Sequence, residues 1–115
     1  MKSTIICNKW DVVLVNFPFS DLTSTKKRPS LIVSPNEFNI YDDVIIAYIT
    51  SNIPFELKYL DHLIKDWTGA GLLKPSIARM KFATIQKTFI HKKLGSFSFE
   101  DRKEFSKKII DFFLD

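Results

Sequence analysis

The chain of 115 residues is poor in cysteine, glycine and histidine, with one, three and two of them respectively. A lone Cys7 excludes an intrachain disulfide framework and a cysteine-rich zinc site, and it suits a reducing compartment. Its simplest role is that of a small buried core residue. Long apolar runs are also lacking. Residues 12–15 and 44–49 are the best, and both fall far short of a bilayer span. After Lys2 only Ile5, Ile6 and Cys7 precede Asn8 and Lys9, which is no secretory core. A soluble, cytoplasmic protein is expected. Repeats, low-complexity segments and linkers are missing too, which predicts one domain over residues 1–115.

Hydrophobic residues make up 45% and charged residues 26%, a globular composition. Eleven of the residues are phenylalanine. A short chain buries a small share of its surface, so bulky aromatics help to fill the core, and some apolar surface can serve a subunit interface. The formal net charge of +4 and the isoelectric point of about 9.2 favour an anionic partner such as nucleic acid.

The pattern along the chain is strands first, then a helix. Asp11–Phe17 is β-branched and apolar and predicts a strand. Residues 18–27 are polar, with Pro18, Ser20, Asp21 and Thr23, and predict a loop. Residues 30–34 predict a second strand that Pro29 opens, since proline has no donor for a ladder. Pro35-Asn36 ends it, and Asp42-Asp43 marks a turn. Residues 44–49 form the clearest buried strand. Residues 51–58 give no clear pattern. Short strands are expected at 62–64, 75–81 and 82–86, a loop at 67–71, and the end of the β region at 94–96. The period then changes. Ser98 and Asp101 resemble a capping box, and Phe105, Ile109, Phe112 and Phe113 follow at helical spacing. About five to seven short strands and one terminal helix predict a small, strongly bent sheet or barrel, closed or covered to protect its edges.

Several segments resemble one family in order. DVVLVNF (residues 11–17), a polar loop, then KKRPSLIVS (residues 26–34) resembles the N-terminal signature of the MazF/PemK toxins of type II toxin–antitoxin systems. AYITSN (47–52), GLLKPS (71–76) and TIQK (84–87) resemble its later motifs. Each is weak alone; the ordered set covers nearly the whole chain. The resemblance implies an α+β fold, mostly β, in which an SH3-like small barrel carries a C-terminal α-helix. It also implies a homodimer and a sequence-selective, metal-independent endoribonuclease that cleaves single-stranded RNA without a cofactor. Its further partner would be a cognate antitoxin protein laid over the active groove.

Such cleavage uses the substrate's own 2′-hydroxyl as nucleophile on the adjacent phosphate. The protein must then stabilise charge on the phosphoryl oxygens and help to move protons. Arginine suits the first task, because its planar fork binds two phosphate oxygens and stays charged. Arg28 matches the family's loop-end arginine and is the first catalytic candidate. Without the resemblance it would read as a solvated arginine beside Lys26 and Lys27. Thr50 matches the threonine that ends the family's buried strand. Its hydroxyl can bond a phosphate oxygen, or it is an ordinary strand-end residue. Lys27, Ser51, Asn52, Arg79, Lys81 and Asp21 are the substrate-binding candidates. Strand alternation puts Arg79 and Lys81 on one face, as phosphate contacts or as a solvated basic edge. With Lys87, His91, Lys92 and Lys93, the cations can form a stripe facing the RNA backbone. Phe19, Phe55 and Trp67 are the candidates for stacking on unpaired bases.

The chain departs from the family pattern in three ways. Its first loop is short, Asp21 is the only acid there, and Lys81 stands where some members carry a carboxylate. The general base is therefore open between Asp21, Arg28 and no protein group. A His62–His91 acid–base pair is a rival scheme, though nothing in the sequence brings the two together. A non-catalytic RNA- or protein-binding module, or a toxin inhibiting a protein target such as a topoisomerase, are the alternative readings.

Overall fold

The computed structural model describes residues 5–17 and 26–114. Strand β1 (Asp11–Phe17) is followed by β2 (Lys26–Ile32), a single helical turn α1 (Asn36–Asn39) and β3 (Asp43–Thr50). A two-residue β4 (His62–Leu63), a long β5 (Ile77–Gln86), β6 (Ile90–Ser96) and the helix α2 (Phe99–Leu114) complete the chain. The six strands make one antiparallel sheet in the order β4-β5-β3-β2-β1-β6. The expected fold class holds, with one correction: the sheet is not closed into a barrel. Strands β4 and β6 remain edges among the described residues, and β4 is too short to extend the ladder further.

The sequence explains why the interior strands read as unbroken apolar runs. They are covered on both faces, so successive residues are buried in turn. Val12, Leu31, Ala47 and Ala78 pack with Phe97 and Phe105 on the face toward α2. Val13, Val15, Ile32, Val44, Ile46 and Ile85 fill the opposite face, where Cys7 is also buried. Burial pushes the Cys7 thiol pKa up, so it is held as an unreactive thiol.

Several boundaries differ from expectation. β2 begins at Lys26 rather than at Ser30, and Pro29 lies inside it, paired with Leu14 of β1. The partner β3 is engaged only from Ser30, so the missing donor falls where β2 has one neighbour rather than two. The two strands expected at 75–81 and 82–86 are one strand, β5, which begins at Ile77. The basic stretch 91–93 is part of β6. The short α1 was not anticipated. It places Asn39 to bond the carbonyls of Cys7 and Ser34 from a buried position.

The N-terminus of α2 forms as the sequence suggests, since the Asp101 N–H donates to Ser98 Oγ at 3.1 Å. The Asp101 carboxylate, however, reaches away from its own helix and accepts from the Lys65 and Asp66 N–H groups at 2.9 and 3.0 Å. Only the first half of α2 is covered. Phe105 is fully buried and Ile109 packs on the core, whereas Phe112 and Phe113 are exposed despite their helical spacing. Among the described residues, no helix is long and apolar enough to cross a membrane.

Candidate functional site

One groove of about 570 Å³ is bounded by β1, β2, the end of β3, the segment leading into β5, and β6. Leu14, Pro29, Ile49, Leu72 and Leu94 give it an apolar floor, and Lys27, Arg28, Thr50, Ser51, Lys74, Ser76 and Lys92 its polar groups. The register explains the convergence. Leu14 stands between Pro29 on β2 and Lys92 on β6, and directly opposed residues project from the same face. Lys27, two residues from Pro29, shares that face. Arg28 stands opposite Val15, one step out in the pleat, and borders the same groove.

Charge is distributed unevenly around this groove. Among the described residues no carboxylate lines it, and none forms an ion pair with Lys27, Arg28, Lys74 or Lys92. Some cations elsewhere are paired with carboxylates. Lys93, the neighbour of Lys92, lies 3.2 Å from Asp11, and Lys65 lies 2.9 Å from Glu100. Four cations with no ion pair among the described residues thus surround an apolar floor, which makes the groove locally electropositive.

The local backbone prepares two of the polar groups. Thr50 Oγ1 accepts the Asn52 N–H at 3.1 Å, which leaves its hydroxyl proton free to donate outward. Ser76 Oγ donates to the Lys74 carbonyl at 2.9 Å and holds the bend that carries Lys74. Two glycines set the wall. Gly71 has a φ of +78°, and a Cβ there would meet the Leu94 carbonyl oxygen at 2.1 Å. A Cβ on Gly95 would meet the Ala70 carbonyl carbon at 2.5 Å. The bend around Gly71 can lie against β6 only because both lack side chains.

The structure therefore brings Lys27, Arg28, Thr50 and Ser51 together. Asn52 is exposed beside the groove and contributes the backbone bond to Thr50. Arg79 and Lys81 lie elsewhere on β5. Arg79 is engaged with the buried Asp61 at 3.3 Å, and Lys81 Nζ sits 4.9 Å from the Tyr48 ring centre. Asp21 and Phe19 lie outside the described residues. Phe55 is wholly exposed, whereas Trp67 packs against the core. Sequence reasoning missed Lys74 and Ser76. Both lie in the GLLKPS segment (71–76), whose place in the ordered motifs is the signal for them.

The two histidines are used differently. His91 is exposed on β6. His62 is buried, with Nε2 at 2.8 Å from Asp101 Oδ1 and Nδ1 at 3.2 Å from Lys108 Nζ. Lysine can only donate, which assigns the ring proton to Nε2. Burial lowers the His62 pKa. The Asp101 hydrogen bond opposes that shift and the Lys108 charge adds to it. Burial alone would raise the Asp101 pKa. The Asp66 and Lys65 N–H groups, His62 and Ser98 outweigh it and hold the carboxyl below its ordinary value. Donor atoms of His62, Asp101 and Glu104 lie within 4.8 Å of one another, close enough for a metal. Asp101 already accepts four hydrogen bonds, and Lys108 and Lys65 bring positive charge to the group. The cluster serves as a buried clasp between β4 and α2.

An open antiparallel sheet, a terminal helix and a groove lined by cations without ion pairs among the described residues define a small α+β protein. The family model of PemK-like, MazF-like toxins of type II toxin–antitoxin systems matches residues 8–113, and the chain belongs to that family. Among solved structures it is similar to the toxin MazF-mt6 of Mycobacterium tuberculosis, at 18% identity over 90% of this chain and 95% of that one, with a TM-score of 0.72. It is also similar to a MazE–MazF structure from Deinococcus radiodurans, at 14% identity over 95% and 97% of the two chains, with a TM-score of 0.75. A mycobacterial endoribonuclease in complex with its cognate antitoxin matches at 15% identity over 91% and 92%, with a TM-score of 0.72. No curated protein sequence matches the chain at a significant level.

Proposed function

We propose that the protein is a sequence-selective endoribonuclease toxin that cleaves single-stranded RNA without a metal and is neutralised by a cognate antitoxin. The observation that carries this reading is the groove in which Lys27, Arg28, Lys74 and Lys92 meet without a carboxylate to neutralise them. A phosphodiester seated there would have the Arg28 guanidinium and the Thr50 hydroxyl as donors to its non-bridging oxygens. The substrate's 2′-oxygen attacks the adjacent phosphorus, the bond to the 5′-oxygen breaks, and the products carry a 2′,3′-cyclic phosphate and a 5′-hydroxyl. The 2′-hydroxyl proton leaves to solvent, and the departing 5′-oxygen takes one up. Lys27 and Ser51 would hold the flanking backbone. An acidic antitoxin segment would compete for the same cations by folding onto them.

The test is incubation of the purified protein with mixed-sequence single-stranded RNA in EDTA, with Arg28→Ala alongside. Discrete fragments are expected from the wild type. The variant should be slower by a factor on the order of 10² or more, as when one preorganised oxyanion donor is removed. Equal cleavage by both proteins would remove Arg28 from the mechanism. No cleavage with RNA retained would leave a binding module on the same fold.

A further inference from the structure

We infer that Lys74 and Lys92 form two phosphate subsites flanking the one served by Arg28, so that the groove grips at least three successive backbone positions of a single strand. This rests on the proposed RNA substrate and extends it. Lys92 projects on the face of Leu14, on the β6 side, while Lys27 and Pro29 flank Leu14 on the β2 side. Lys74 enters from the segment between Gly71 and β5, whose bend is fixed by the bond from Ser76 Oγ to the Lys74 carbonyl. The two lysines thus enter the groove from different elements, and neither has a counter-ion among the described residues. Cations grouped around a single phosphate would crowd one another. Spread along an apolar floor, each can take its own phosphate while the bases stay free for other contacts. Lys93 is the internal comparison: it is the next residue on β6 but faces away and is paired with Asp11.

The measurement is the salt dependence of binding to a fully 2′-O-methylated RNA strand, which cannot be cleaved. For single strands the slope of log affinity against log salt is about −0.7 per phosphate neutralised. Lys74→Ala and Lys92→Ala should each make the slope shallower by about 0.7, while Lys74→Arg and Lys92→Arg retain it. Lys93→Ala should leave it unchanged. Unchanged slopes in Lys74→Ala and Lys92→Ala would overturn the assignment. So would an equal loss in Lys93→Ala, because that would report overall charge rather than a site. Wild-type protein that binds an acidic peptide but no RNA would overturn it as well. Binding with the expected slopes, beside no cleavage of ordinary RNA, would retain these subsites and remove only the nuclease reading.

Discussion

At the scale of single residues, the groove depends on what each side chain is released from. Thr50 shows this well. The Asn52 N–H occupies its oxygen, so the hydroxyl hydrogen is left to point at a ligand. Thr50→Val keeps the shape and removes that donor. A hydrogen bond to a charged group contributes about 1.5–3 kcal/mol, so a loss of roughly tenfold to a hundredfold in kcat/KM is expected with stability little changed. Thr50→Ser should retain most of the activity. Gly95 makes a different prediction. Its missing Cβ admits the Ala70 backbone, so Gly95→Ala must push the bend around Gly71 off β6. The expected result is a loss of at least about 1–3 kcal/mol of stability, read from urea midpoints, together with weaker RNA binding. Arg28, Thr50, Lys27 and Ser51 could be picked out from the sequence because they sit in ordered motifs. The separation of Arg79 from the groove could not. It follows from its ion pair with Asp61, a residue 18 positions earlier that no local pattern connects to β5.

At the scale of elements, most strands are legible from their β-branched runs, and α2 from its cap and period. What sequence patterns miss is where neighbouring elements end one another. β6 has a basic, glycine-containing sequence with poor strand character, yet the edge of β1 organises it. The clasp between β4 and α2 was likewise hidden, because His62 and Asp101 are 39 residues apart. Its pH dependence follows from the shifts of the two groups. An unfolded histidine titrates at about 6.5, and the buried ring only below that. Between those values the unfolded chain holds more protons, so stability rises with pH there. The contribution is complete above about pH 6.5 and is lost as the pH falls through the His62 window. Asp101 adds a second loss at lower pH, below its ordinary value near 3.8, where its depressed carboxyl is finally protonated. Urea midpoints of the wild type should hold from pH 7.5 to about 6.5 and then fall toward pH 5. His62→Gln should be less stable at pH 7 and nearly flat over that range. A wild-type profile as flat as that of the variant would mean that the clasp does not titrate there.

At the scale of the molecule, the two faces of the sheet are covered unequally. α2 packs through Phe105 and Ile109 and then leaves Ile110, Phe113 and Leu114 exposed together at its C-terminal end. Phe113 still rests on Phe82 at 5.5 Å between ring centres, so this end is an apolar surface anchored to the sheet and left exposed among the described residues. Isolated exposed apolar residues are ordinary, but several on one helical turn mark an interface. The homodimer expected for a toxin of this family would cover them. Light scattering at micromolar concentration should therefore give the mass of two chains of 13.4 kDa. Phe113→Lys should shift the protein toward one chain by placing a charge in the contact, while leaving the Phe105-centred core intact and the circular dichroism unchanged. Dilution should have the same effect on the wild type, because a dimer held by a surface of this kind dissociates by mass action. A wild type that is monomeric throughout would leave the apolar end of α2 for a different partner. A variant that stays dimeric would move the contact to another face.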